Sequence, residues 1–197
     1  MASERLGVFG GTFDPPHIGH LVTAINVRHT LNLDRVLFVV NNVPWQKVGS
    51  RLISPVEDRW AMTQAAVAGA PGIDACRIEI DAGGMSYTAD TLAALRAEAP
   101  ERELFVILGS DAAAGLPTWE RVDEVRQAAT IVVVQRPGRE DAPPLEGWRW
   151  EEVQVPALDV SSTELRDRAR DGRPLDYLVP QAVIECIEAR HLYRDAA

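Results

Sequence analysis

Two histidines, His17 and His20, lie three positions apart in the segment with the clearest chemical pattern, which reads Gly-Gly-Thr-Phe-Asp-Pro-Pro-His-Ile-Gly-His over residues 10–20. Paired glycines let the backbone turn sharply and approach a ligand closely. A helix that begins beside the histidines would offer unpaired N–H groups and the positive end of its dipole to a phosphate. Because side chains three positions apart share one face of a helix, both imidazoles could reach the same anion. The pattern therefore predicts a phosphate-binding turn.

This segment also has plainer interpretations. It matches neither the G-x-G-x-x-G pattern of dinucleotide-binding folds nor the G-x-x-x-x-G-K-[ST] pattern of P-loops. The histidines could be two surface residues after a tight turn between a strand and a helix. A metal-binding pair is a further alternative, but no third histidine or cysteine stands nearby to complete the ligand set.

A second segment, Val160–Arg166, reads Val-Ser-Ser-Thr-Glu-Leu-Arg. Ser161 or Ser162 would cap the start of a helix, because serine side chains accept hydrogen bonds from first-turn N–H groups. Arg166 would then lie one turn further along the same face. Hydroxyls, a helix N-terminus and a guanidinium together favour an anion, whereas the serines alone would indicate only a helix cap.

Taken together, the two segments resemble the signature of the nucleotidyltransferase superfamily that contains the adenylyl- and cytidylyltransferases. The first matches its H-x-G-H motif, and the second matches its I-S-S-T-x-[IL]-R motif with Val160 in place of the usual isoleucine. The resemblance implies a Rossmann-like α/β fold, with a doubly wound, mostly parallel sheet of five to six strands and helices on both faces. It also implies an ATP site in which His17, His20 and Arg166 are catalytic. The implied ATP-binding residues are Gly10, Gly11, Thr12, Phe13, His17, Gly19, His20, Ser161, Ser162, Thr163 and Arg166.

Other segments resemble the nicotinate-nucleotide adenylyltransferase branch of this superfamily. They cover residues 41–47, 86–92, 109–111 and 116–119. The first departs from the branch at Trp45-Gln46, where bacterial members often have Pro-His. The resemblance implies transfer of the adenylyl group of ATP to nicotinate mononucleotide, which gives deamido-NAD and pyrophosphate in NAD biosynthesis. The implied residues of the nicotinate mononucleotide site are Asn42, Lys47, Tyr87, Thr88, Gly109, Asp111 and Trp119.

Three of these acceptor-site residues have structural interpretations as well. Asp111 would suit a ribose hydroxyl but also the N-cap of a helix, and both roles can hold. Trp119 would cover the pyridine ring or pack in the core. Lys47 is the only lysine in the chain, and it would bind phosphate or carboxylate as a compact charge or lie solvated in its loop.

The implied reaction needs charge neutralisation more than proton transfer. Its nucleophile is a phosphate monoester oxygen, which is already ionised near neutral pH, so no general base is required. Catalysis would consist of positioning two polyanions and stabilising the charge that develops, with His20 at the α-phosphate. Mg²⁺ is implied as the partner of ATP; the sequence contains no dedicated carboxylate cage, so phosphate and water would supply most of its ligands.

Alternative functions remain open at this point. The acceptor could be nicotinamide mononucleotide, or both mononucleotides, because acid and amide differ by one atom. Phosphopantetheine adenylyltransferases match less well, since they are shorter and lack the Ser86–Thr88 and Thr118–Trp119 features. A non-catalytic nucleotide-binding module on the same fold is the alternative from a different class.

Short β-branched runs alternate with helical stretches, which predicts β-α-β units in a single domain over residues 1–197. Ser54 and Glu57 predict a capping box at the start of the second helix, with Pro55 as its first residue. The last two helices form a C-terminal helical portion from about residue 160. Strands are predicted at 6–9, 35–40, 75–80, 104–108, 130–135 and 151–155, and helices at 18–31, 55–68, 88–98, 162–170 and 181–189.

The 197 residues carry a net charge of −9, with 46% hydrophobic and 25% charged residues. This composition is globular, and the acidic balance argues against a non-specific nucleic-acid binder, which needs a broad basic face. No apolar run approaches the roughly 18 residues of a membrane span, and the first residues contain no stretch suited to a signal peptide, so a cytoplasmic location is expected. Cys76 and Cys186 are far apart and predict reduced packing residues.

Overall fold

The computed structural model describes residues 3–44, 53–135 and 146–194. The strands within these residues are β1 (Arg5–Gly11), β2 (Arg35–Val40), β3 (Ile73–Cys76), β4 (Glu103–Gly109), β5 (Ala129–Gln135) and β6 (Trp150–Gln154). The helices are α1 (Ile18–Thr30), α2 (Val56–Val67), α3 (Ile78–Ala82), α4 (Thr88–Glu98), α5 (Ser110–Ala114), α6 (Val122–Ala128), α7 (Ser162–Arg170) and α8 (Gln181–Ala189). A short 3₁₀ turn covers Leu116–Thr118.

The strands form one parallel sheet in the order β3-β2-β1-β4-β5-β6. After β1 the chain winds outward through β2 and β3, and then it returns to the other side of β1 for the remaining three strands. This order confirms the predicted doubly wound, Rossmann-like sheet. The change in winding direction lies between β1 and β4, and ligands of such sheets bind beyond the carboxyl ends of the strands at that point.

The sheet is covered by helices on both faces, as predicted from its continuous apolar strands. In β5, the side chains of Ile131 and Val133 belong to one hydrophobic cluster with α4 and α6, whereas those of Val132 and Val134 belong to a second cluster with α1. A third cluster joins α2 to the C-terminal helices α7 and α8. The C-terminal helices are therefore packed against α2.

The strand predicted over residues 75–80 is wrong in its extent. β3 ends at Cys76, and the short helix α3 replaces the remainder. Because β3 lies at the edge of the sheet, it has only β2 as a partner, and this pairing ends at Val39 and Cys76. The helical turn buries the carboxylate of Glu79, which accepts hydrogen bonds from Asn41 and Thr91. This pairing outweighs the strand propensity of the neighbouring isoleucines.

The capping box predicted at Ser54 is also wrong. Pro55 is the N-cap residue of α2, and no side chain caps that helix. The main-chain N–H of Ser54 instead donates to the carboxylate of Asp14, and its carbonyl accepts from the Arg59 guanidinium. Long-range partners thus determine how this helix begins.

None of the described helices is both long enough and apolar enough to cross a lipid bilayer. Both cysteines are free thiols. Burial raises the pKa of the Cys76 thiol, which favours its protonated form.

Candidate active site

The two histidines of the first motif lie against each other at the start of α1. His17 is the N-cap residue, with an extended backbone, and His20 lies in the first turn. The main-chain N–H of His17 donates to Nδ1 of His20 at 3.2 Å, and the two ring centroids are 3.8 Å apart. Because Nδ1 of His20 accepts this bond, a neutral His20 carries its proton on Nε2. The pair therefore stands at the positive end of the α1 dipole.

Two glycines of this motif, Gly11 and Gly19, are required by close packing around the rings. A Cβ on Gly11 would come within 2.7 Å of the Phe13 ring, and one on Gly19 would come within 3.0 Å of the His17 ring. Phe13 itself is buried with a positive φ of 50°, stacked on Phe38 at 5.0 Å between ring centroids. The turn thus positions the imidazoles through contacts that a larger residue would obstruct.

The second motif is tied directly to the first. Nη1 of Arg166 donates to the carbonyl of Asp14 at 2.8 Å, and the hydroxyl of Ser162 donates to the carbonyl of Pro15 at 2.8 Å. Ser161 is the N-cap of α7, as predicted, and its side chain accepts from the N–H of Glu164 at 3.2 Å. The N-terminus of α7 therefore lies beside the loop that carries the histidines.

A further link could not be predicted from the sequence, because its members are far apart in the chain. Asp14 is almost fully buried, and its carboxylate accepts hydrogen bonds from the Tyr193 hydroxyl at 2.8 Å and from the Ser54 N–H at 3.3 Å. Burial, assisted by the negative charge of Asp14, raises the pKa of Tyr193. The loop before α1 is thus tied to the segment after α8.

A cavity of about 340 Å³ lies at the carboxyl edge of the sheet, beside this loop. Thr12 and the two glycines before it form one wall, and Val106 and Leu108 of β4 form another. Tyr87 and Thr88, the N-cap and first residue of α4, line the cavity together with Trp119. Thr12 therefore connects the histidine motif to the cavity, at the point in the sheet where ligands are expected.

Not every predicted acceptor residue lines the cavity. Asn42 instead ties two loops together, since its main-chain N–H donates to the Ser86 hydroxyl and its side chain donates to the carbonyl of Gly84, both at 2.8 Å. Gly109 is the N-cap of α5, which excludes the alternative that Asp111 caps that helix, and Asp111 is exposed in its first turn. Lys47 and the Trp45-Gln46 departure lie outside the described residues.

Three of the polar cavity residues that were not predicted, Asn41, Glu79 and Thr91, form one hydrogen-bonded group. The buried carboxylate of Glu79 accepts from the Thr91 hydroxyl at 2.6 Å and from the Asn41 amide at 2.9 Å. All three line the cavity. The only local signal for them was the proximity of Asn41 to the end of a strand, since Glu79 stood in a segment predicted to be extended.

Across the ranges that the structure describes, no three histidine, cysteine, aspartate or glutamate side chains form a group that could hold a metal ion. These residues offer no ready-made cage for Mg²⁺. Mg²⁺ prefers oxygen ligands. The phosphates of a bound nucleotide and water molecules would therefore have to supply most of them.

Comparison with known proteins identifies relatives over nearly the whole chain. The model of the cytidylyltransferase-like family matches residues 8–168. A probable nicotinate-nucleotide adenylyltransferase of Corynebacterium kroppenstedtii is 47% identical over 193 residues, which cover 96% of this chain and 90% of that protein. A protein of the same name from Saccharopolyspora erythraea is 46% identical over 192 residues, with 97% and 90% coverage.

A solved structure has the same fold. The Plasmodium falciparum nicotinic acid mononucleotide adenylyltransferase complexed with NaAD superposes with a TM-score of 0.79, covering 96% of this chain and 97% of that one. Its sequence identity is 16%, so this likeness concerns the fold.

Proposed function

The chain belongs to the cytidylyltransferase-like family and, within it, to the nicotinate-nucleotide adenylyltransferases, and we propose that it transfers the adenylyl group of ATP to nicotinate mononucleotide. The products are deamido-NAD and pyrophosphate, a step of NAD biosynthesis. The observation that best supports this function is the close contact of His17 with His20, whose ring centroids are 3.8 Å apart. α7 approaches this pair from one side, and the pair shares the Thr12 loop with a cavity of mononucleotide size. One loop thus serves two neighbouring sites for phosphorylated ligands.

The proposed chemistry is an in-line displacement at phosphorus. An ionised phosphate oxygen of nicotinate mononucleotide attacks the α-phosphorus of ATP. A new P–O bond forms, the bond from that phosphorus to the oxygen bridging to the β-phosphate breaks, and pyrophosphate leaves with the bonding electrons. Since the nucleophile carries its charge already, the protein has to align two polyanions and stabilise the charge that develops.

On the ATP side, we assign the charge-stabilising role to His17, His20 and Arg166. His20 is the donor at the α-phosphate, because its Nδ1 is taken by a main-chain N–H and its Nε2 carries the proton. Gly10, Gly11, Thr12, Phe13 and Gly19 supply the backbone that approaches the triphosphate closely. Ser161, Ser162 and Thr163 form the N-terminus of α7 on the other side of the nucleotide.

On the acceptor side, we assign nicotinate mononucleotide to the cavity. Trp119 covers the pyridine ring, and Tyr87 and Thr88 meet it from the N-terminus of α4. That helix end favours a carboxylate over a neutral amide, so the acid is the better acceptor. The proposed acceptor residues also include Asn42, Gly109 and Asp111, which do not line the cavity, and Lys47, which lies outside the described residues.

Mg²⁺ enters this proposal as the counterion of ATP, with phosphate oxygens and water as its main ligands. When bound, it would neutralise charge on the triphosphate and on the leaving pyrophosphate. We place the reaction in the cytoplasm, with the two small nucleotides as partners and without nucleic acid, consistent with the net charge of −9.

Isotope-labelled ATP tests the proposed bond cleavage. The protein is incubated with Mg²⁺, nicotinate mononucleotide and ATP labelled at the α-phosphate, and the products are separated by chromatography. The label should appear in a dinucleotide of the mass of deamido-NAD, with one unlabelled pyrophosphate per dinucleotide. Label in AMP or ADP, or no reaction with the acceptor present, would contradict the proposal.

A further inference from the structure

Arg59 on α2 carries a guanidinium that is buried beneath the two loops of the site. The residue is 2% exposed, and it donates to four main-chain carbonyls. Its Nε donates to Ser54 at 3.0 Å, its Nη1 to Thr12 at 3.1 Å and Asn41 at 2.7 Å, and its Nη2 to Asn42 at 2.9 Å. A single planar group therefore joins three separate segments of the chain.

The carbonyl partners of Arg59 come from both sides of the site. β1 and β2 are paired in parallel up to Gly11 and Val40, and the N–H of Asn41 still donates to the Gly11 carbonyl at 3.0 Å. Thr12 continues towards the histidine pair, whereas Asn41 and Asn42 begin the loop on the acceptor side. Arg59 thus spans the point where the nucleotide loop and the acceptor loop diverge.

The geometry of the guanidinium fixes how these peptide groups are oriented. A trans peptide directs its C=O and N–H in opposite directions, so a carbonyl turned towards Arg59 turns the next N–H away from it. At Asn41 the consequence is visible, because the following N–H, that of Asn42, donates to the Ser86 hydroxyl at 2.8 Å. Ser86 and its neighbour Tyr87 both line the cavity. The orientation imposed by Arg59 is thereby transmitted to the start of α4.

We infer that Arg59 is a positioning residue. It sets the spacing between the nucleotide loop, which begins at Thr12, and the acceptor loop, which begins at Asn41. It does not line the cavity itself, and it acts through Thr12, Asn41 and Asn42. A rigid, five-donor fork suits this task, whereas a lysine ammonium is a point charge that cannot reach four carbonyls at once. This inference rests on the proposed function, since it takes the two loops to bind the two substrates.

The test compares Arg59→Lys and Arg59→Met with the wild type. Dissociation constants are measured by calorimetry for nicotinate mononucleotide alone and for Mg²⁺ with a non-hydrolysable α,β-methylene ATP alone. Both constants should rise by about tenfold or more in Arg59→Met and by less in Arg59→Lys, which keeps a cation. Turnover at saturating substrates should fall in the same order, because misaligned loops misalign the reacting groups.

Val67→Ala is the matched control for stability. Val67 is a buried residue of the same helix, remote from both loops, so its truncation should lower the melting temperature and leave both dissociation constants unchanged. If circular dichroism shows that Arg59→Met is unfolded, the dissociation constants of Arg59→Lys are compared with those of the wild type instead.

Two results would overturn the inference. Arg59 would be a purely stabilising residue if its variants melted earlier but kept both dissociation constants and the turnover number within about twofold of the wild type. A change in the affinity of one ligand alone would contradict a shared spacing role. Because the binding measurements need no turnover, a wild type that binds both ligands without forming a dinucleotide would refute the proposed function and still decide the role of Arg59.

Discussion

The hydroxyl of Tyr193 donates a 2.8 Å hydrogen bond to Oδ1 of Asp14 across 179 positions of sequence. Asp14 is 1% exposed, and its main-chain carbonyl accepts a hydrogen bond from the Arg166 guanidinium. The end of the chain thus supports the loop that presents the two histidines. Activity and stability should both depend on this contact.

Tyr193→Phe removes the hydroxyl and little else. A buried carboxylate oxygen then loses its partner, so we expect the free energy of unfolding to fall by about 1–3 kcal/mol in urea denaturation. Tyr177→Phe is the matched control, because Tyr177 is 92% exposed, and it should leave stability unchanged. Equal stability of Tyr193→Phe and the wild type would show that the contact contributes nothing.

The same contact predicts a pH dependence. Burial, followed by the charge of Asp14, raises the pKa of Tyr193 in the folded protein. The contribution of this hydrogen bond to stability is fully present below the pKa of tyrosine in the unfolded chain, which is about 10. It is lost as the pH rises above that value, because the unfolded state then ionises first. The stability difference between the wild type and Tyr193→Phe should therefore stay constant from about pH 6 to 9. Above about pH 10 the difference should shrink; a difference that stays constant there would mean that the folded phenol ionises normally.

His20→Ala should lower kcat by about 10²-fold or more, because one preorganised donor to the developing charge is lost. His20→Asn separates this role from a structural one, since its side-chain carbonyl can accept the His17 N–H in place of Nδ1. We expect it to retain stability but not kcat. His29→Ala, an exposed histidine on the same helix, should be silent in both measurements. An unchanged kcat in His20→Ala would remove this residue from the mechanism.

Trp119→Ala should raise KM for nicotinate mononucleotide by about tenfold or more and leave KM for ATP near its wild-type value, because aromatic stacking on the pyridine ring is lost. Trp119→Phe should restore most of the affinity. Trp148→Ala is a suitable control, since Trp148 packs against the same hydrophobic cluster without lining the cavity. Equal effects of both alanine variants would assign Trp119 to the core.

Much of the fold could be predicted because it is encoded locally. The helices at residues 88–98 and 181–189 and the strand at 35–40 have the predicted bounds, since apolar runs, breakers and turn residues act over a few positions. The proximity of His17 and His20 follows from helical spacing in the same way. The helix cap predicted at Ser161 or Ser162 is formed by Ser161.

The errors and omissions have a common physical cause, which is competition from distant partners. Ser54 resembles a helix cap, yet Asp14 and Arg59 bind its main chain instead. Glu79 stands in a strand-like segment, yet its carboxylate pairs with Asn41 and Thr91 in a helical turn. No local pattern specifies which buried carbonyls a single arginine will join.

The most direct test of the central claim is the acceptor specificity of pyrophosphate release. The wild type is assayed with Mg²⁺ and ATP while nicotinate mononucleotide, nicotinamide mononucleotide or phosphopantetheine is offered separately. We predict strong turnover with the acid, much weaker turnover with the amide, and none with phosphopantetheine. Equal kcat/KM for acid and amide would contradict the proposed specificity, and no release with any acceptor would indicate a nucleotide-binding module rather than an adenylyltransferase.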